Sequence, residues 1–260
     1  MICLFCRNDS SSSRSVEHVI PQSLGNTTLV LPPGVVCDRC NNYFARKLEK
    51  PFMNHADIMA LRHHEAIPSK RGRVPSLDGQ LDDGTPFTSY RYLNSPLSGL
   101  IDTSLEGAAK ILAGEVRGAQ LPAPPDEWRE PQLSSRLLAK IGLEGMASRL
   151  VGQDEGLIYL AREPQFDPVR SYARYGTGRG WPYHCRRIYD ANKKWIEANG
   201  EEVQRVWEWD ILVTEFGEWY SVLALFGLEL TINMGERSIE GYLDWLHRHQ
   251  TSQLGQGHQA

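Results

Sequence analysis

Two C-x-x-C pairs, Cys3/Cys6 and Cys37/Cys40, place four soft thiolate ligands within the first forty residues, the set expected of a closed tetrahedral zinc site. Four thiolates leave no open coordination position, so such a zinc holds structure and does no chemistry. Groups able to do chemistry lie between and just after the pairs. Glu17 directly precedes His18 in SVEHVIPQSLG, and Asn41 follows Cys40 at an expected helix start. A carboxylate and an amide oxygen are hard ligands suited to Mg²⁺ or a similar ion, while an imidazole titrates near neutral pH and can act as a base. The zinc would then pin a β-hairpin to a helix that jointly present a second metal site. A plain zinc ribbon accounts for the cysteines but not for the content of the interval between them.

The elements that must position these groups are short. NNYFARKLEKPF, from Asn41, has Phe44 and Leu48 at helical spacing, with Pro51 stopping or kinking the turn. HADIMALRHHEAI reads as a second helix, with His63 and His64 as surface residues. Residues 68–99 are rich in Pro, Gly, Asp and Ser, with Asp78-Gly79 and Asp83-Gly84 marking tight turns of a linker or small hairpin. Leu137, Leu138, Ile141, Met146 and Leu150 form a helical stripe that Gly142 and Gly145 weaken. Trp207, Trp209, Ile211 and Val213 alternate with Glu208, Asp210, Leu212 and Thr214, and Gly217 precedes two further apolar runs, which implies an antiparallel meander. SIEGYLDWLHRH closes the fold as a helix with Ile239, Tyr242, Leu243 and Leu246 inward. The expected organisation is α+β: a finger with its following helix over 1–67, a linker or hairpin region over 68–132, a mixed domain with an antiparallel sheet and flanking helices over 133–250, and a disordered tail over 251–260.

Composition bounds the setting. The 260 residues are 41% hydrophobic and 23% charged, ordinary for a globular protein. No apolar run reaches a membrane span and the first residues lack a secretory pattern, so a cytoplasmic protein with reduced thiols is expected. Cys185 stands apart and reads as a structural thiol. The overall charge of -4 is unevenly spread: residues 1–73 hold ten Lys or Arg against six Asp or Glu, and the remainder 18 against 26. The N-terminal segment is the part suited to a polyanion, with Arg46, Lys47, Lys70, Arg71 and Arg73 as candidate phosphate contacts.

CLFC, EHVIPQSLG and CDRCNNYFARKLE, in that order over residues 3–49, resemble the HNH, or His-Me finger, endonucleases in the branch stapled by four cysteines. The resemblance implies a ββα-metal fold, phosphodiester hydrolysis, a structural Zn²⁺ on the cysteines and a catalytic Mg²⁺ or Mn²⁺. His18 matches the general base, Glu17 the acidic metal ligand and Asn41 the last motif position, which also binds metal. The central asparagine, which orients the base, usually sits just before the second C-x-x-C; here that stretch is LPPGVV. Asn26 then stands in for it, or a backbone carbonyl orients the ring. Glu49 either reaches the metal or its waters, or is an exposed carboxylate pairing with Arg46 or Lys50.

The reaction so implied is in-line attack of water on nucleic acid, most readily DNA, giving 5′-phosphate and 3′-hydroxyl ends. Control by the C-terminal domain, through a protein partner or an oligomer, would suit a restriction or phage-defence effector. The rival from another class is a nucleic-acid-binding or scaffold protein whose finger keeps zinc and does not cut.

Overall fold

A computed structural model describes residues 1–93, 98–123, 131–197, 199–250 and 254 of the chain and shows the expected α+β fold with antiparallel sheets. The N-terminal turn forms because Cys3 donates its N–H to Asn8 O at 2.9 Å and receives the Arg7 N–H at 3.0 Å, with Arg7 at φ +58°. Leu4 N–H donates to Val35 O at 2.9 Å, which lays this turn beside the second cysteine pair. Strands β1 (Glu17–His18) and β2 (Val30–Leu31) then pair antiparallel, Glu17 opposite Leu31 and His18 opposite Val30.

Helix α1 (Asp38–Phe44) starts on Cys37, whose extended backbone and sulfur cap the Cys40 N–H at 3.4 Å. A π-helical turn over Ala45–Glu49 follows, and then α2 (Lys50–Met53). Pro51 has no N–H to return to the Lys47 carbonyl, so the helix widens by one hydrogen-bond step ahead of it and passes through. Phe44 and Leu48 are fully buried, as their spacing predicts.

The chain divides into two compact units. One comprises the described residues of 22–25 and 53–125. It contains α3 (Ala56–His64), β3 (Leu77–Leu81), β4 (Pro86–Arg91), β5 (Gly99–Thr103), α4 (Leu105–Ala113) and β6 (Ala119–Gln120). Its strands form one antiparallel sheet in the order β5-β4-β3-β6 around Leu81, Phe87 and Val116. The hairpin expected in this region is therefore part of a four-stranded sheet. Asp83-Gly84 makes its turn, Gly84 at φ +85°. Asp78-Gly79 instead lies within β3, where a Cβ on Gly79 would come 2.4 Å from Gln120 O. Glycine there permits close strand contact and makes no turn. His63 is buried, 2% exposed, and bonds Pro75 O at 2.8 Å and Ser89 at 3.1 Å, which corrects its expected place on the surface.

The other unit comprises 1–21, 26–52 and the described residues of 126–260. It holds α5 (Pro131–Ser148), α6 (Asp154–Arg162), α7 (Asp167–Tyr175), β7 (Tyr183–Arg187), β8 (Lys194–Ile196), β9 (Glu202–Gln204), β10 (Trp207–Val213), β11 (Trp219–Leu225), β12 (Leu228–Asn233) and α8 (Glu240–His249). The meander β10-β11-β12 forms as its pattern predicts, and β7 adds to the β12 edge. Helix α5 packs on it through the two glycines that weakened it in the sequence: a Cβ on Gly145 would stand 2.0 Å from Trp209, and one on Gly142 2.5 Å from Met234. Both are approach points, and the loss of helix propensity, about 1 kcal/mol each, accompanies that closeness. In α8, Tyr242 and Trp245 are buried and Leu243 is 41% exposed, so Trp245 takes the inward place expected of Leu243. The tail expected to be disordered lies outside the described residues except Leu254, which is buried in the Tyr220, Tyr242 and Trp245 cluster. Among the described residues no helix is long and apolar enough to cross a membrane.

Candidate active site and its cysteine staple

Cys3, Cys6, Cys37 and Cys40 bring their sulfur atoms within 4.8 Å of one another, with Cys6 and Cys37 3.6 Å apart. A tetrahedral zinc with Zn–S near 2.3 Å sets its sulfurs roughly 3.8 Å apart, so the cluster fits that ion. Backbone N–H groups point at the sulfurs, from Cys37 to Cys3 at 3.3 Å and from Cys40 to Cys37 at 3.4 Å. The Cys3 thiol is lowered to about 4, first by the hydrogen bond from Cys40. Cys40 is raised by the same bond and by burial, and Cys6 by burial. Filling the cluster with metal would therefore release protons from the other sulfurs.

A second centre lies in the same unit. Lys140, on α5, is fully buried, and its ammonium stands 2.7 Å from Glu17 Oε1, 2.9 Å from Glu49 Oε1 and 2.9 Å from Glu144 Oε2. It also donates to the backbone oxygen of His18 at 3.3 Å. Three strongly separated pieces of sequence thus meet on one atom: the β1 strand, the π-helical turn and the middle of α5. Burial opposes the lysine's charge, but the carboxylates of Glu144, Glu17 and Glu49 overcome it and raise its pKa well above the ordinary value. Burial also raises Glu144, helped by the negative charge of Glu17 and Glu49 and opposed by Lys140. An ammonium this deep persists only because it is paired, and removing one partner of such a pair costs roughly 3–5 kcal/mol.

Residues 3–57 match the HNH endonuclease family. No curated protein and no solved structure matches the chain. The match contains both cysteine pairs and the hairpin and helix between and after them, and so the HNH segment comprises the metal-ligand and catalytic residues expected from sequence, while the candidate phosphate contacts Lys70, Arg71 and Arg73 lie beyond it.

Within the HNH segment, Glu17 is buried and His18 half-buried on β1. Asn41 donates from Nδ2 to Val16 O at 3.2 Å, which ties the first turn of α1 to the residue before Glu17. Glu49 is 22% exposed and pairs with Lys140, in place of either expected partner, Arg46 or Lys50. Asn26 is saturated by its own loop. Its Nδ2 donates to Ile20 O and Leu29 O at 2.8 and 2.9 Å, and its Oδ1 accepts from Thr28 and Leu29 N–H at 3.2 and 2.9 Å. That asparagine closes the connection between β1 and β2, and with both donors and both lone pairs engaged it has nothing left with which to orient an imidazole.

The remaining anchors of the HNH segment come from α5, α6 and α7. Arg170 donates to Leu4 O and Leu160 O, each at 2.8 Å, and pairs with Asp167, which also holds Arg7. Arg136 donates to the Tyr43 hydroxyl at 3.0 Å, and the Arg174 guanidinium lies 3.6 Å from the Tyr43 ring centroid. Arg46 and Lys47 line a notch with Arg39, Asn42, Tyr43 and Arg174, a concave basic surface on the helix side of the finger.

Lys140 and Glu144 are not singled out by residue type and spacing, although a signal is present. In LLAKIGLEGMA they fall three and seven residues after Leu137, on the apolar face itself. Two opposite charges at i,i+4 inside a buried stripe imply a polar partner brought from elsewhere in the chain.

Proposed function

We propose that the protein is a metal-dependent endonuclease that hydrolyses phosphodiester bonds, with DNA as substrate. The observation that carries this reading is the meeting at the Lys140 ammonium of Glu17, from the strand that also carries His18, and Glu49, from the π-helical turn, both inside the segment matched to the HNH endonucleases. His18 takes the proton from the attacking water. Glu17 and the Asn41 Oδ1 supply hard oxygen ligands, and Glu49 adds a carboxylate for the ion or its waters. Glu17, Asn41 and Glu49 would hold a divalent ion, Mg²⁺ or Mn²⁺, which would supply charge stabilisation to the phosphodiester under attack and to its leaving oxygen. The zinc-type cluster keeps the hairpin and helix in register and takes no part in the reaction. Arg39, Arg46, Lys47 and Arg174 face the phosphate backbone from the notch. The β10–β12 half serves as the element that conditions cleavage, as in a restriction or phage-defence effector.

One observation favours a second reading. Lys140 already places a positive charge against Glu17 and Glu49, as a finger that holds nucleic acid without cutting it would allow. A cleavage assay on single- and double-stranded DNA and RNA in Mg²⁺ or Mn²⁺ separates the two. Cleavage by the parent and its loss in His18→Ala, with zinc content unchanged, supports the nuclease; equal rates in both proteins refute His18 as the base, and no cleavage by the parent favours the scaffold.

A further inference from the structure

Lys140 and Glu144 lie outside the HNH segment, yet they are the most deeply buried charged groups of the site: both are 0% exposed, where Glu49 is 22% exposed. Lys140 touches every carboxylate that the proposed function uses, together with the His18 backbone oxygen. Glu144 holds the ammonium from one helical turn away, and its other oxygen, Oε1, is buried with no hydrogen-bond partner.

We infer that Lys140 is the positioning residue and resident countercharge of the site: it gathers Glu17 and Glu49 before any divalent ion arrives, and the ion shares those carboxylates with the ammonium. The inference rests on the proposed nuclease reading for the identity of the ion site, and it adds that the site is built with its own monovalent cation. Two like charges sharing carboxylates within about 5 Å repel even at an effective dielectric near 20. Lys140 therefore weakens divalent binding while it prevents Glu17 and Glu49 from separating. Glu144 keeps the ammonium aimed at them and is itself a positioning residue.

The test uses the full chain and Mn²⁺ as probe. Lys140→Met removes the ammonium at similar volume; Lys140→Met combined with Glu144→Gln removes the ammonium together with the fully buried Glu144 carboxylate, and so keeps the buried charge closer to balance than the single change does. Zinc content and far-ultraviolet circular dichroism report folding, and electron paramagnetic resonance of unbound Mn²⁺ gives Kd. The expected result is Mn²⁺ bound at least tenfold more tightly by the double variant than by the parent, with a larger rise in Tm on adding Mn²⁺, since ligand stabilisation grows with [L]/Kd. Unchanged Mn²⁺ binding in a folded, zinc-loaded double variant overturns the inference and leaves Lys140 a packing residue; weaker binding overturns the countercharge role and leaves Lys140 a positioning residue alone. Failure of the nuclease reading gives a different pattern: a parent that cuts no nucleic acid, whatever the ratio of the two affinities.

Discussion

Lys140 Nζ lies 3.3 Å from the backbone oxygen of His18 across 122 positions of sequence. The bond fixes the strand that carries the candidate base to the middle of α5. The position of His18 is thereby set by a helix beyond the HNH segment, in addition to the staple at the other end of the hairpin.

Replacing His18 by Ala is expected to lower the cleavage rate by about 10²–10⁴-fold, the usual contribution of a positioned general base. Zinc content and Tm should stay within error of the parent. Rates from a supercoiled plasmid assay, set beside zinc quantified by atomic absorption, check both halves.

The two classes of ligand should part cleanly on mutation. Cys37→Ser removes one of the four clustered sulfurs and leaves a hydroxyl that can still cap α1, so zinc is lost and the finger loosens. Glu17→Gln keeps the staple and the zinc, and loses cleavage. Zinc stoichiometry in the two purified variants decides the matter: a full complement in both, or loss from both, would contradict the division.

Arg170 is a further staple made without metal. Its bonds to Leu4 O and Leu160 O tie the first cysteine turn to α6, and each charged hydrogen bond contributes about 1.5–3 kcal/mol. Arg170→Leu should speed zinc loss to a chelator severalfold, measured with a colorimetric zinc dye, before it lowers the far-ultraviolet signal.

Gly145→Ala and Gly142→Ala should differ in cost. The new methyl at 145 meets the rigid Trp209 ring at 2.0 Å, whereas at 142 it first meets the flexible Met234 thioether at 2.5 Å. Overpacking of about 1–3 kcal/mol is expected at 145 and less at 142, where Met234 can move. Urea unfolding midpoints rank them.

Stability should fall in mild acid. Burial lowers the pKa of His63 and of His184 below the ordinary 6.5. The unfolded chain therefore takes up protons near pH 6.5 that the folded chain refuses, and stability, full above that value, is lost as pH drops from it toward each folded-state pKa. Urea midpoints at pH 7.5 and 5.5 should differ for the parent and differ less for His184→Gln.

The α+β class, the meander and the four-cysteine cluster were legible because each is a local pattern, an alternation of two in β10 and a fixed C-x-x-C spacing; the helix start, expected at Asn41, lies three residues earlier, where the Cys37 sulfur caps Asp38–Phe44. The site was legible as residue types, since Glu17, His18, Asn41 and Glu49 carry recognisable chemistry near one another in sequence. What orients them was not. Lys140 reads as one charge in a helix until Glu17 arrives from 123 residues away and Glu49 from 91 away. Gly79 reads as a turn until β6 is known to cross it at Gln120, and His63 reads as surface until Ser89 is placed beside it. In each case the deciding partner is distant along the chain, and no periodicity within one element encodes it.

The discontinuity of the larger unit bears on synthesis. The chain makes the finger first, leaves for residues 53–125, and only later adds α5. On the ribosome, Glu17, His18 and Glu49 emerge long before the ammonium that gathers them, and a nascent or prematurely ended chain lacking α5 holds every HNH-segment residue without the group that assembles them. The order of the sequence thereby keeps the proposed nuclease site unassembled until α5 has been made.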